Sequence, residues 1–258
     1  MLLALFLRLV MRKVLIVVDA EVDETGEIIA ASPTTAQMVS ALKANSPTIS
    51  ATAQTKPAFA GLQNQAEALP AAVNVQVVST QWLIINKQLT SDNKLIWCPL
   101  TLNLPELDFP AQSVYNACRD VTGLRQLVEQ LGYATGVGNF WLAVVLTAKG
   151  PLYGEVIGKD EASEGLKYRM PVYLSDSQRQ PLYQLGYKLL QYLSAPPSVY
   201  LLQFGFSDQN LVFDRLLPFP APSAIASIGI QKPDLFACHW HCLTRQPIYG
   251  IEIIASKL

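Results

Sequence analysis

The chain has 258 residues and a formal net charge of −1, and half of its residues are hydrophobic while 15% are charged. This composition excludes an intrinsically disordered chain. The balanced charge, without a run of Lys or Arg, excludes a general nucleic-acid binder. Four cysteines are too few for a disulfide framework in a chain of this length, so we expect free thiols.

The first ten residues, MLLALFLRLV, form a strongly apolar run. A bilayer-spanning helix needs about 20 apolar residues, and no small-residue cleavage site follows, so the run predicts neither a transmembrane helix nor a secretory signal. Two alternatives stay open: residues 1–10 lie on a membrane surface as a short helix, or they extend a chain whose start is Met11. We favour the extension, because MRKVLIVVD is typical of the start of a cytosolic protein.

The N-terminal half contains signals for strands, a hairpin and a helix. Val14 to Val18 is a continuous apolar run that predicts a buried strand, and Gly26 among polar neighbours predicts a hairpin turn. Ser32 and Pro33 have the residue types of an N-cap and a first helical position, and the apolar residues Met38, Val39 and Leu42 follow at helical spacing. We expect an N-terminal α/β region over residues 11–110 that includes an Ala/Gln/Pro-rich segment over residues 44–72.

The second half predicts further helices and hairpins. One apolar helical stripe is ended by Gly132, and it consists of Val114, Ala117, Cys118, Val121, Leu124, Val128 and Leu131. Lys149-Gly150 predicts a hairpin, and a Leu-rich helix is expected to begin at Pro181. VYLLQFGF and LVFD predict another hairpin, followed by a helix over residues 233–243 and a strand over residues 248–254. The pattern favours an α/β or α+β fold with mixed sheets, in which residues 111–258 form the second region.

Residues 132–140, GYATGVGNF, are rich in glycine. They lack the Lys and the Ser or Thr of a P-loop, and they do not open a helix after a strand. We therefore interpret them as a helix stop followed by a loop.

The segment ACHWHC, residues 237–242, contains both histidines and two of the four cysteines. With Pro233 placed at the first helical position, Cys238 and Cys242 lie one helical turn apart on an apolar stripe. We favour the interpretation that these thiols are core residues, because free cysteine behaves as a small apolar side chain. The alternative is a zinc site formed by Cys238, His241 and Cys242 with a fourth ligand from elsewhere.

Residues 140–250 resemble the C-terminal part of ATP-grasp domains, since a helix, a hairpin, a loop of small residues and a second helix follow in the same order. In that family the hairpin binds the Mg²⁺ of ATP through acidic residues and an asparagine, and the resemblance implies here an ATP-grasp-like scaffold that has lost phosphate chemistry. Gln203 then stands near the first acidic position, Asp214 at the second and Leu216 at the asparagine. Only Asp214 keeps a charged oxygen ligand, so the resemblance implies a degenerate metal site.

On these grounds the leading hypothesis is a non-catalytic binding, assembly or regulatory protein with a protein partner, no nucleic acid and no cofactor. The alternatives are a diverged ATP- and Mg²⁺-dependent ligase-type enzyme that uses Asp214, and a metal-binding protein centred on Cys238, His241 and Cys242. We expect a cytoplasmic location. The final Ser256-Lys257-Leu258 is a peroxisomal address only in a eukaryote.

Overall fold

The computed structural model describes residues 12–46, 73–86, 95–160, 167–208 and 210–254. Our predictions for residues 1–10, for most of the 44–72 segment and for the final tripeptide lie outside these residues. Within the described parts of the chain, no helix is long and apolar enough to cross a membrane.

A three-stranded parallel sheet forms the N-terminal region, with the strand order β4-β1-β5. The strands are β1 (Arg12–Val18), β4 (Val73–Ser79) and β5 (Leu95–Pro99). The predicted strand at Val14 to Val18 is confirmed, and all five of its residues are buried. Such a run is apolar throughout because both faces of the strand are covered.

Between β1 and β4 the chain forms the predicted hairpin and helix. The hairpin pairs β2 (Glu21–Val22) with β3 (Ile28–Ala30), and Gly26 in its turn has a φ of 83°. Helix α1 (Pro33–Lys43) begins after Ser32, whose hydroxyl accepts a hydrogen bond from the Thr35 amide at 3.1 Å. The short helix α2 (Thr80–Ile85) follows β4.

A six-stranded sheet forms the C-terminal region, with the order β6-β11-β10-β7-β8-β9. Its strands are β6 (Ala134–Thr135), β7 (Phe140–Thr147), β8 (Gly150–Lys159), β9 (Tyr168–Val172), β10 (Ser198–Ser207) and β11 (Asn210–Leu217). All of its pairings are antiparallel except the short β6–β11 pair. Both predicted hairpins of this region, β7–β8 and β10–β11, are confirmed.

The apolar stripe before Gly132 belongs to two helices, so our prediction of one continuous helix is wrong. The helices are α3 (Gln112–Arg119) and α4 (Val121–Gln130). Asp120 between them has a non-helical backbone, and its carboxylate accepts a hydrogen bond from the Gly123 amide at 3.0 Å. An aspartate that caps a new helix offers the backbone an alternative to continuing the old one. Gly132, with a φ of 87°, follows the end of α4 as predicted.

Three further boundaries differ from the predictions. Helix α5 (Asp176–Tyr192) begins five residues before Pro181, because Ser175 and Gln178 form a capping box upstream of the proline. Helix α6 (Leu235–Thr244) begins after Asp234, whose carboxylate caps it, so Pro233 precedes the helix and is not its first residue. The predicted last strand is reduced to β13 (Glu252–Ile253), which pairs with β12 (Gln231–Lys232).

Two hydrophobic clusters form the core, on either side of the large sheet. One includes the small sheet, α1, α6 and the 3₁₀ segment Pro222–Ser227, and the other includes α3, α4 and α5. The predicted mixed α/β fold class is confirmed. The boundary that we placed near residue 110 stays a prediction.

Candidate functional site

The β10–β11 hairpin contains the three positions that the ATP-grasp resemblance picks out. Gln203 of β10 pairs with Arg215, and the next residue, Phe204, pairs with Phe213. Asp214 is therefore the extra residue of a β-bulge. A bulge changes the direction of a side chain relative to the regular ladder, and the side chain of the bulged Asp214 is buried.

Both carboxylate oxygens of Asp214 have partners. Its Oδ1 accepts a hydrogen bond from Arg125 Nη2 at 2.7 Å and lies 3.3 Å from Arg215 Nε, while Oδ2 accepts one from the Gly138 amide at 3.0 Å. Arg125 also donates to the backbone carbonyls of Asp214 and Gly136, at 3.0 and 3.2 Å. The buried charge is thus neutralised by hydrogen-bonded arginines, which is the condition for burying a carboxylate.

Gln203 binds the same glycine from the other side. Its Nε2 donates to the Gly138 carbonyl at 2.6 Å, while the Gly138 amide donates to Asp214. A Cβ atom on Gly138 would overlap the Phe204 carbonyl, so the loop can approach β10 this closely only with glycine at this position. The glycine-rich segment begins with the predicted helix stop, but Ala134–Thr135 form strand β6 on β11, so the predicted loop is confirmed only for the residues after it, which lie against the hairpin. We refer to Gln203, Asp214, Arg125, Arg215 and Gly138 as the hairpin cluster.

The hairpin cluster as arranged does not fit a bound Mg²⁺. This ion takes about six oxygen ligands at near-octahedral positions, of which one or two are usually carboxylates. Asp214 is the one carboxylate among the three hairpin positions, and its oxygens face two guanidinium groups and an amide. Leu216 is 1% exposed and belongs to the apolar core. Asp214 as a cofactor-binding residue stays a prediction.

Helix α6 places the ACHWHC segment in the core. Cys238 is fully buried and Cys242 is nearly so, and their thiols donate weak hydrogen bonds to the carbonyls of Pro233 and Leu146, each at 3.5 Å. Burial raises the pKa of each thiol to about 12, so both are protonated at neutral pH. Among the described residues, no group of three or more His, Cys, Asp or Glu side chains is placed to hold a metal ion. The structure thus adds no support to a zinc site at Cys238, His241 and Cys242, which stays a prediction.

His239, between the two cysteines, is 1% exposed. Its Nδ1 lies 3.2 Å from the Ser198 hydroxyl and accepts a long hydrogen bond of 3.4 Å from the Val199 amide. Burial lowers the pKa of His239 to about 3, so its imidazole is neutral at pH 7. No described residue is a hydrogen-bond partner of its Nε2, although this atom is buried.

Arg125 and Gly138 are central to the hairpin cluster, and sequence reasoning missed both. Arg125 lies 89 positions from Asp214 and is half-buried at the edge of the apolar stripe of α4, where an arginine has no distinctive sequence signal. The glycines of GYATGVGNF are evident in the sequence, but their spacing does not reveal which strand they approach. The contact partner of each residue is set by the packing of α4 on the sheet.

No known protein-family profile matches the sequence. No curated protein matches it either.

Solved structures, in contrast, match the fold over most of the chain. Glycinamide-RNase-transformylase T from Mycobacterium tuberculosis is similar at a TM-score of 0.60 and 16% identity, covering 92% of this chain and 80% of that one. The N5-carboxyaminoimidazole synthetase from Staphylococcus aureus complexed with ADP gives a TM-score of 0.61 at 11% identity, over 94% and 80% of the two chains. An L-amino acid ligase from Bacillus licheniformis gives 0.53 at 11% identity, over 90% and 74%.

These proteins have the ATP-grasp fold, so the predicted resemblance is confirmed, and it extends well beyond residues 140–250. The leading hypothesis of a non-catalytic binding, assembly or regulatory protein is wrong as the preferred interpretation. The structures that share the fold are those of a transformylase, synthetases and a ligase, and they favour the ligase-type alternative. At identities of 11 to 16%, the likeness to these structures shows the fold alone.

Proposed function

We propose that this chain is a diverged ATP-dependent enzyme of the ligase type. The observation that carries the proposal is the backbone match over more than nine tenths of the chain to synthetases of the ATP-grasp fold, one of them complexed with ADP. An adenine nucleotide is accordingly the ligand with which to begin. Sites on shared folds differ between proteins, so the proposal depends on a binding experiment and not on the fold alone.

The hairpin cluster leaves two ways in which this chain could bind a nucleotide-associated Mg²⁺. If Asp214 binds a nucleotide-associated Mg²⁺, then Arg125 has to leave Oδ1, to which it donates at 2.7 Å. If the arginine pair persists, the metal ligands come from other carboxylates. A ligand favours whichever arrangement it binds more tightly, so nucleotide binding and the state of the Asp214–Arg125 pair are linked in the first case and independent in the second.

A thermal-shift titration of the full chain tests the proposal. ATP and ADP are added with MgCl₂ or with EDTA, and we expect a saturable, Mg²⁺-dependent rise in melting temperature. A ligand that binds only the native state at 100 times its Kd adds about 2.7 kcal/mol to the free energy of unfolding. The absence of a shift at millimolar nucleotide would overturn the proposal. Where a shift is found, turnover is followed as phosphate release on addition of mixtures of carboxylates and amines.

Two matched variants then determine the part played by Asp214. Asp214→Asn removes the charge inside the cluster, and Asp208→Asn removes a charge from the exposed turn of the same hairpin. Each shift is measured against the melting temperature of the same variant without nucleotide. Loss of the shift in the first variant alone supports Asp214 as a metal ligand, whereas equal shifts in both support ligands from elsewhere.

The expectations of a cytoplasmic location and of a protein partner belong to this proposal as well. Fractionation of the native cells and identification of the proteins that co-purify with the untagged chain test them.

A further inference from the structure

A cavity of about 450 Å³ lies between strand β5, the beginning of β10 and helix α6. Ligand pockets commonly have volumes of roughly 300–1,000 Å³, so this one has the size for a small organic molecule. None of the hairpin-cluster residues lines it. We refer to it as the α6 cavity.

The wall of the α6 cavity is aromatic and apolar. Trp97, Phe109 and Tyr115 form a row of rings with centroid separations of 5.2 and 5.4 Å. The Tyr115 and Tyr200 hydroxyls donate to the carbonyls of Pro99 and Pro196, at 2.8 and 2.7 Å. Because these hydroxyls are satisfied within the wall, the rings offer the cavity an apolar surface on which an aromatic molecule can pack.

His239 also lines the α6 cavity, and its buried Nε2 has no hydrogen-bond partner among the described residues. Since Nδ1 accepts from the Val199 amide, the proton of the neutral ring lies on Nε2, which is then a hydrogen-bond donor. A buried donor without an acceptor is costly and uncommon in folded proteins. A bound molecule with an acceptor group at this end of the cavity would supply the missing hydrogen bond.

Arg245 gives the α6 cavity its charge. This exposed arginine is the one side chain with a formal charge among the described residues that line the cavity, and these include no carboxylate. It follows the last turn of α6, about 9 Å along the helix axis from His239 at a rise of 1.5 Å per residue. Its full positive charge exceeds the roughly half negative charge of the helix terminus beside it, so an anionic group is favoured at this end.

We propose that the α6 cavity binds a small aromatic carboxylate, with its ring against Trp97 and Phe109, its carboxylate at Arg245 and an acceptor group of the ring at His239. The α6 cavity shares no residue with the hairpin cluster, and the two proposals have separate measurements: nucleotide binding for the ligase activity and binding of aromatic carboxylates for the cavity. Failure of nucleotide binding therefore leaves the proposal standing, and the reverse also holds.

Three related compounds test the proposal by calorimetry on the full chain. Hydroxyphenylpropionate carries the ring, the carboxylate and a hydroxyl acceptor, phenylpropionate lacks the hydroxyl, and tyramine has a cation in place of the carboxylate. We expect saturable binding of the first, about tenfold weaker binding of the second and no binding of the third; tenfold corresponds to one hydrogen bond of about 1.4 kcal/mol. Absence of saturable binding by hydroxyphenylpropionate, or equal binding of tyramine, would overturn the proposal.

Two variants and a control place the ligand in this cavity. Ala111→Leu adds volume to a half-buried lining residue and should abolish binding. Arg245→Gln should weaken the binding of the two carboxylates about tenfold. Arg169→Gln removes an exposed arginine of β9, which does not line the cavity, and should leave binding unchanged. All three variants are first shown to melt cooperatively. Binding that survives in Ala111→Leu contradicts the proposed location.

Discussion

The hairpin cluster and the α6 cavity differ in whether their buried polar groups have hydrogen-bond partners. In the hairpin cluster a buried charge is surrounded by partners, with two arginines and an amide on one carboxylate. Along the α6 cavity the buried imidazole of His239 keeps a nitrogen without a partner among the described residues. Asp214 thus holds the loop, the hairpin and α4 together, whereas His239 has an unused hydrogen-bonding capacity.

The comparison shows that a matching fold can place a residue of a candidate ligand position in contact with the protein's own backbone. Gln203 and Asp214 occupy hairpin positions that the ATP-grasp resemblance assigns to a metal, and both bind the backbone of Gly138. A backbone segment in contact with these side chains competes with any ion for them. Whether a nucleotide can displace it is the question that the titration answers.

The largest effect is expected from filling the space between the loop and the hairpin. Gly138→Ala places a methyl group into the Phe204 carbonyl, so one of two backbone segments must move. We expect a loss of more than about 3 kcal/mol in the free energy of unfolding, measured by urea denaturation, because backbone atoms cannot rotate away as a side chain can. The matched control is Gly250→Ala, where the added methyl group meets no atom within 4 Å. Equal stability of the two variants would show that the loop does not lie against β10.

Removing the charge of Asp214 should have the next largest effect. Asp214→Asn leaves Arg125 without its anion and should lower the free energy of unfolding by about 2 to 3 kcal/mol in the same assay. The value is below that of a fully buried pair, because 30% of the Arg125 side chain is exposed. Asp208→Asn in the exposed turn should change stability by less than about 0.5 kcal/mol. An unchanged free energy of unfolding in Asp214→Asn would show that the partners of Asp214 in the hairpin cluster do not stabilise the protein. The contrast with the unpartnered nitrogen of His239 would then have no energetic basis.

The buried imidazole of His239 beside the α6 cavity should make the free energy of unfolding depend on pH. Burial lowers the pKa of His239 to about 3 in the native state, against about 6.5 in the unfolded chain, so only the unfolded chain takes up the proton on mild acidification. The stabilisation is complete above pH about 6.5 and declines as the pH falls towards 3, by about 2 kcal/mol between pH 7 and pH 5.

Urea denaturation at these two pH values measures the decline. His239→Phe should reduce it strongly, while His241→Gln should reduce it less, because His241 is only half-buried and its pKa is lowered to a smaller extent. An unchanged decline in His239→Phe would contradict a neutral buried imidazole at this position.

The smallest effect concerns the rate at which the thiols are labelled and not the free energy of unfolding. All four cysteines are buried, and burial raises the pKa of each thiol to about 12. Since the thiolate is the reactive form, a disulfide reagent should leave the native protein unlabelled and label four thiols in urea. A chelator that speeds the labelling of Cys238 and Cys242 would instead indicate a metal that protects them.

Local sequence signals determined much of the fold. Ser32 before Pro33 and an apolar triplet predicted α1, and the glycine turns predicted the hairpins, because caps and turns depend on neighbouring residues. The apolar stripes of α6 likewise predicted that Cys238 and Cys242 are buried. Where prediction was wrong, as at Asp120, a cap competed with an uninterrupted apolar pattern.

Only the tertiary structure decided what the polar residues do. The sequence identified Asp214 as a candidate ligand, yet its partners Arg125 and Gly138 come from positions 89 and 76 residues away. The α6 cavity also combines residues of β5, β10 and α6, which no local pattern relates. Side chains acquire such partners when helices and strands pack, since the free energy of a buried charge or cavity depends on whatever atoms surround it and not on its neighbours in sequence.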